Sequence, residues 1–167
     1  MPGTPRPILR WPDKRLATPA ADVPAITDEI RTIWDDMIAT MEAMPGVGLA
    51  AVQIGVPLRL AVVDASDTRG KAIRMANPEL VDAGPQMRSH EEASPCLPGV
   101  TAKLERPAEV IVAFTDTAGF RVRQTFEGLW ATSIQHQIDH LAGKMYFDRL
   151  SKVKRDMLLK KARKAAR

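Results

Sequence analysis

The chain has 167 residues, 45% of them apolar and 26% charged, with a single cysteine and a net charge of +4. This size and balance suit one globular domain that buries roughly two thirds or more of its unfolded surface, and one cysteine excludes an internal disulfide and is commoner in a reducing compartment. No apolar run approaches the roughly 20 residues that cross a bilayer, and Met1 to Lys14 carries four prolines without an apolar core, so the expectation is a cytoplasmic protein without a membrane anchor.

Asp28 to Met44 is the first predicted helix. Ile30, Ile33, Trp34, Met37, Ile38 and Met41 recur at helical spacing, Thr27 is placed to cap the first turn, and Pro45 and Gly46 end it. The segment Gly46 to Gly55 (Gly-Val-Gly-Leu-Ala-Ala-Val-Gln-Ile-Gly) is rich in small residues that let another backbone approach. It lacks the Gly-Lys-Ser/Thr ending of a phosphate-binding loop, which excludes a nucleotide site of that kind. Gln53 within it is either a satisfied core amide or a donor to a developing oxyanion. Leu58 to Val63 reads as a strand bounded by Pro57 and Asp64, and Ile73 to Met75 and Glu109 to Phe114 as further strands. Phe120 to Phe126 alternates apolar and polar residues, and a turn at Thr117 to Gly119 joins the last two strands in a hairpin. Helical spacing returns after Glu127 and Gly128 through Leu129, Trp130, Ile134, Ile138 and Leu141, with Gly143 as a stop signal. This order predicts an α+β fold of antiparallel strands around a central metal-binding helix.

Residues 151 to 167 hold eight basic side chains against the single acid Asp156, so the remaining 150 residues are net negative. Val153, Met157, Leu158, Ala162 and Ala165 recur near helical spacing there, which predicts a helix with one weakly apolar seam and a basic outer face, part of the same domain as residues 1 to 150. Such a helix is either simply solvated or a docking element for a polyanion such as RNA.

The most informative residues are His136, Gln137, Ile138, Asp139 and His140. Histidines four apart on a helix lie about 40° from each other around its axis, so both imidazoles can reach one cation. In the usual form of this motif a Glu follows the first His and takes a proton from a metal-bound water; Gln137 is a neutral amide without that basicity. A catalytic site of this type needs a third protein ligand. The candidates are Cys96, His90 and the carboxylates. Cys96, in the rigid Ser94-Pro95-Cys96-Leu97-Pro98-Gly99 segment, would complete a set suited to zinc or ferrous iron, with core packing as the alternative. His90 lies on a polar stretch and reads as a surface residue. Asp139 borders the metal face and reads as an acceptor that orients a histidine. Glu91 or Glu92 would reach the site only if their loop turned inward.

Together these segments resemble the three signature motifs of the peptide deformylases, in that family's order. The likeness runs from Ile8-Leu9-Arg10-Trp11-Pro12-Asp13 through Gly46 to Gln53, Cys96-Leu97, and Gln135 to Leu141, and ends at Phe147-Asp148-Arg149-Leu150. The resemblance implies removal of the formyl group from N-formyl-methionyl peptides, with release of formate, by one divalent metal, Fe(II) or Zn(II), held by Cys96, His136 and His140. It further implies an oxyanion hole made by Gln53 and the Leu97 N–H. The substrate strand would lie along Val47 and Gly48, and residues 151 to 167 would contact the ribosome; neither DNA nor membrane is implied as a partner.

The departures lie in two of the three motifs. Where family members have Glu-Gly-Cys-Leu-Ser this chain has Ser94 to Pro98, which removes a charged partner from the metal's surroundings, and Gln137 stands at the position of the general base. The expectation is therefore a deformylase-like metallohydrolase with weak or lost activity, or alternatively a non-catalytic formyl-peptide or ribosome-associated binding protein.

Overall fold

Thr27 sits just before the first long helix, and its hydroxyl accepts the N–H of Ile30, satisfying one of the donors that a helix start leaves free. In the computed structural model, which describes residues 3 to 166, this helix is α1 (Asp28–Ala43). The strands that follow are β1 (Gly48–Ala50), β2 (Leu60–Val63), β3 (Ile73–Ala83), β4 (Met87–Ser94), β5 (Leu97–Pro107), β6 (Glu109–Thr115) and β7 (Arg121–Glu127). Helix α2 (Gly128–Leu141), a short 3-10 turn at Tyr146–Arg149 and helix α3 (Lys152–Ala165) complete the chain.

Strands β1, β2, β3, β6 and β7 form one antiparallel sheet in the order β1-β2-β3-β6-β7, and β4 and β5 form a separate two-stranded ribbon. Alternation along β2 explains how this sheet is covered. Leu60 and Val62 pack with Ile30, Ile33, Trp34, Met37 and Met41 of α1. Val63 points the other way, towards Ala131 and Ile134 of α2, together with Met75, Val110, Val112, Phe114 and Phe126. A strand buried on both faces has no polar side, which is why β2 reads Leu-Ala-Val-Val without alternation. A third apolar cluster joins the β4–β5 ribbon to the C-terminal elements through Leu97, Val100, Leu104, Tyr146, Phe147, Leu158 and Leu159.

The helices and the β6–β7 hairpin follow the sequence periodicity. Gly119 (φ 88°) supplies the left-handed turn residue, and its N–H donates to Asp116 O. Strand β3, however, extends to Ala83, well past the expected Met75; its outer half is exposed, and the register slips at Ala76/Glu79 and Leu80/Asp82. Strands β4 and β5 were not anticipated at all. The inward row of β4 is Arg88, His90, Glu92 and Ser94, all polar, and only Glu92 and Ser94 are buried, so no apolar alternation marks it. The seam of α3 also differs from expectation. Leu158, Leu159 and Ala162 are buried, whereas Val153 and Met157 are 69% and 67% exposed, because α3 rests on β5 through a narrower stripe than the spacing suggested.

Trp34 is fully buried, and its indole N–H donates to Met75 O at 3.1 Å, tying α1 to β3. Trp34→Ala is expected to cost about 3–5 kcal/mol through the cavity it leaves, read as a lowered midpoint in chemical denaturation.

Candidate functional site

Helix α2 runs behind a cleft of about 450 Å³ and shares its wall with the edge strand β1 and the end of β4. The lining includes Val47, Gly48, Gln53, Glu92, Ser94, His136 and Gln137. Small residues are needed at the β1 side: a Cβ on Gly48 would stand 2.6 Å from the Gln137 amide nitrogen and would collide with it.

His136 and His140 meet as their spacing predicts, with their Nε2 atoms 3.2 Å apart. His136 Nδ1 lies 2.8 Å from Glu92 Oε1. A carboxylate only accepts, so the proton of neutral His136 is assigned to Nδ1, which leaves the Nε2 lone pair facing His140. His140 is fully buried, and burial, reinforced by the nearby Arg106 charge, holds its pKa well below the ordinary histidine value. A neutral His140 that donates from Nε2 to His136 Nε2 satisfies both rings at their point of contact.

Glu92 turns inward, and it, not Asp139, orients His136. Arg106, only 2% exposed, donates from Nε to Glu92 Oε2 at 2.6 Å and from Nη2 to Glu92 Oε1 at 2.9 Å. Its third contact, Nη1 to Asp139 Oδ2 at 3.0 Å, ties α2 to the ribbon, and Arg149 caps the same carboxylate at 2.6 and 2.8 Å. Burial raises the Glu92 pKa, but hydrogen bonds from His136 and Arg106 outweigh it and hold the carboxyl below its usual range; for Asp139, bonds from Arg149 and the charges of Arg106 and Arg149 likewise overcome burial. The charged partner that Ser94 seemed to delete is thus present as Glu92, supplied from a different position in β4. Arg106 gave no signal in the sequence, since a lone arginine in a polar stretch reads as surface.

Cys96 does not join the histidines. It is 1% exposed and packs with Leu97, Tyr146 and Phe147 in the third apolar cluster; burial raises its pKa, so it stays a thiol. Its Sγ lies 3.6 Å from Gln53 Nε2. Neither Cys96 nor Leu97 lines the cleft, although Gln53, Val47, Gly48, His136 and Gln137 do. Among the described residues no three His, Cys, Asp or Glu side chains form a group that could hold a metal ion. Two converging imidazoles match one face of a cation, but a catalytic site of this class needs three protein ligands. The residues present therefore do not fit a three-ligand metal centre.

Gln53 Oε1 accepts the Ala50 N–H at 2.9 Å, and its Nε2 faces Cys96 Sγ at 3.6 Å, which occupies one of the two amide hydrogens. Gln137 Oε1 is buried without a partner. Two of the residues lining the cleft are thus amides, one of which carries an acceptor without a partner.

The family model for polypeptide deformylase matches residues 5–156. The chain belongs to the peptide deformylase family. A peptide deformylase-like protein of Bradyrhizobium diazoefficiens is 42% identical over 162 residues, covering 97% of this chain and 95% of the relative. A peptide deformylase of Rhizorhabdus wittichii is also 42% identical, with 97% and 96% covered. Among solved structures, a peptide deformylase from Legionella pneumophila superposes with a TM-score of 0.90 at 39% identity, covering 98% of this chain and 96% of that one. One from Ehrlichia chaffeensis in complex with actinonin gives 0.90 at 33%, covering 98% and 99%. The α+β deformylase fold is therefore that of this chain, and no described helix is long and apolar enough to cross a membrane.

Replacing Arg106 by Leu would strand the buried Glu92 carboxylate and leave Asp139 with Arg149 alone. The expected cost is about 3–5 kcal/mol, against about 1 kcal/mol or less for Arg149→Leu, whose side chain is 52% exposed; denaturant titration of both variants measures the difference.

Proposed function

We propose that the chain binds N-formyl-methionyl peptide ends in the cleft beside β1 and does not hydrolyse them. Membership of a hydrolase family that acts on such ends supports the ligand class. The observation that carries the reading is that two amide side chains line one cleft, Gln53 with a second N–H to donate and Gln137 with an Oε1 that has no partner. A formamide presents a carbonyl oxygen and an N–H, the complement of that pair. A ketone or a free amine lacks one or both.

The rest of the peptide would continue along β1, which is an edge of the five-stranded sheet and so has a side free to accept an added strand. Met44, Val47 and Leu129 give the same cleft apolar surface for the methionine side chain. Recognition through backbone pairing is largely indifferent to the residues that follow. That suits a protein meeting many nascent chains in the cytoplasm, and the exposed lysines of α3 supply positive charge for the ribosome.

Loss of hydrolysis follows from two residues. Gln137 has no basic lone pair with which to take a proton, an effect of roughly 10² to 10⁴ in rate. The missing third ligand removes the means of generating a hydroxide nucleophile at neutral pH. Family members depend on a metal, iron or zinc in the resemblance above, and this chain retains only the histidine pair for one.

Two measurements test the reading. Isothermal titration with formyl-Met-Ala-Ser should show binding that the unformylated peptide lacks, and Gln137→Leu should weaken it about tenfold by removing the acceptor without loss of stability. Formate release by the native protein, and by Gln137→Glu, should stay at background with iron or zinc added. Turnover by either protein, or equal affinity for both peptides, would overturn the proposal.

A further inference from the structure

Strand β4 presents alternate side chains to the interior. Glu92 and Ser94 are 4% exposed, whereas Glu91 and Ala93 between and before them are exposed. Glu92 reaches His136, so the next inward residue on the same strand face is Ser94, and it lines the cleft with His136 and Gln137. The chain then reverses at once: Ser94 pairs with Leu97, leaving only Pro95 and Cys96 in the turn. Cys96 N donates to Ser94 Oγ at 3.2 Å and Cys96 O accepts from Trp11 N at 2.8 Å, which fixes the turn and directs the thiol into the cluster of Tyr146 and Phe147.

We infer that Ser94, and not Cys96, occupies the place from which a third donor to His136 and His140 must come, so that this chain holds no firmly bound divalent metal. A serine hydroxyl is neutral at physiological pH and far weaker as a ligand than a thiolate, an imidazole or a carboxylate. Two imidazoles and a hydroxyl leave any cation with two strong protein ligands. The support for the histidines is nevertheless in place, since Glu92 already orients His136 and Arg106 already holds Glu92. A single change at Ser94 therefore completes the ligand set. This inference concerns the metal alone and stands apart from formyl-peptide binding, which is measured on metal-free protein.

The test is anaerobic Co(II) titration followed by absorption spectroscopy, with metal content determined after dialysis against metal-free buffer. Native protein and Cys96→Ala should both show no thiolate-to-cobalt band and retain substoichiometric metal. Ser94→Cys should gain the band and retain stoichiometric metal, and Ser94→Cys combined with Cys96→Ala should keep both, which identifies the new thiol as the ligand. Near-UV circular dichroism establishes that each variant is folded. A native band abolished by Cys96→Ala would overturn the inference. So would stoichiometric metal in the dialysed native protein, or a folded Ser94→Cys variant without the band.

Discussion

The Arg106 guanidinium is the contact on which the site depends. It is a buried cation between two buried carboxylates, and each carboxylate belongs to a different element: Glu92 to β4 and Asp139 to α2. Arg106 itself is on β5, so one side chain sets how the two-stranded ribbon sits against the helix. With Arg149 closing over Asp139 the cluster holds two positive and two negative charges. Removing charges from water costs several kcal/mol per ion, and that cost is offset only when every group is met at close range. The bidentate grip on Glu92, at 2.6 and 2.9 Å, meets this condition. The network contributes geometry more than stability, because an apolar replacement of the whole cluster would fill the same space without placing His136.

This arrangement separates what maintains the architecture from what performs chemistry. Glu92, Arg106 and Asp139 are mutually dependent, and loss of any one unbalances the charge of the buried cluster. Gln137 and Ser94 are under no such constraint. An amide fills nearly the volume of a carboxylate, and a hydroxyl is smaller than a thiol, so neither leaves a buried charge or forces the backbone to move. A chain of this family can therefore acquire neutral side chains at these two positions while its fold and the Glu92–Arg106 support of His136 stay intact. Neutral side chains at these two positions are also better suited to holding an uncharged formamide than to attacking it.

Much of the fold was legible in the sequence because it is written in periodicity. Helix α1 announced itself through Ile30, Ile33, Trp34, Met37 and Met41, and the histidine pair through its spacing on α2. The β4–β5 ribbon was illegible for the opposite reason. It is paired mainly with itself, and the two buried residues of β4, Glu92 and Ser94, are themselves polar. Its inward face is defined by a charge partner on β5 that lies 14 residues away along the chain, and no local pattern reports such a pairing. Residue chemistry then misled. Cys96 has the side chain that a metal would prefer, so a reading by residue type selects it. Strand register decides otherwise.

Register also accounts for the size of the error. Side chains on a strand alternate in direction, so residues two apart share a face as long as the strand continues. Had β4 run on through Cys96, that thiol would have pointed inward with Glu92 and Ser94. The strand ends at Ser94, however, and the Pro95–Cys96 turn breaks the alternation. Proline cannot donate to a ladder and holds its own φ near −65°, which favours a turn at that point. Pro95 thus does more than delete a donor: it ends the inward-facing row one side chain before the sulfur, leaving a hydroxyl at the cleft and sending the thiol into the core.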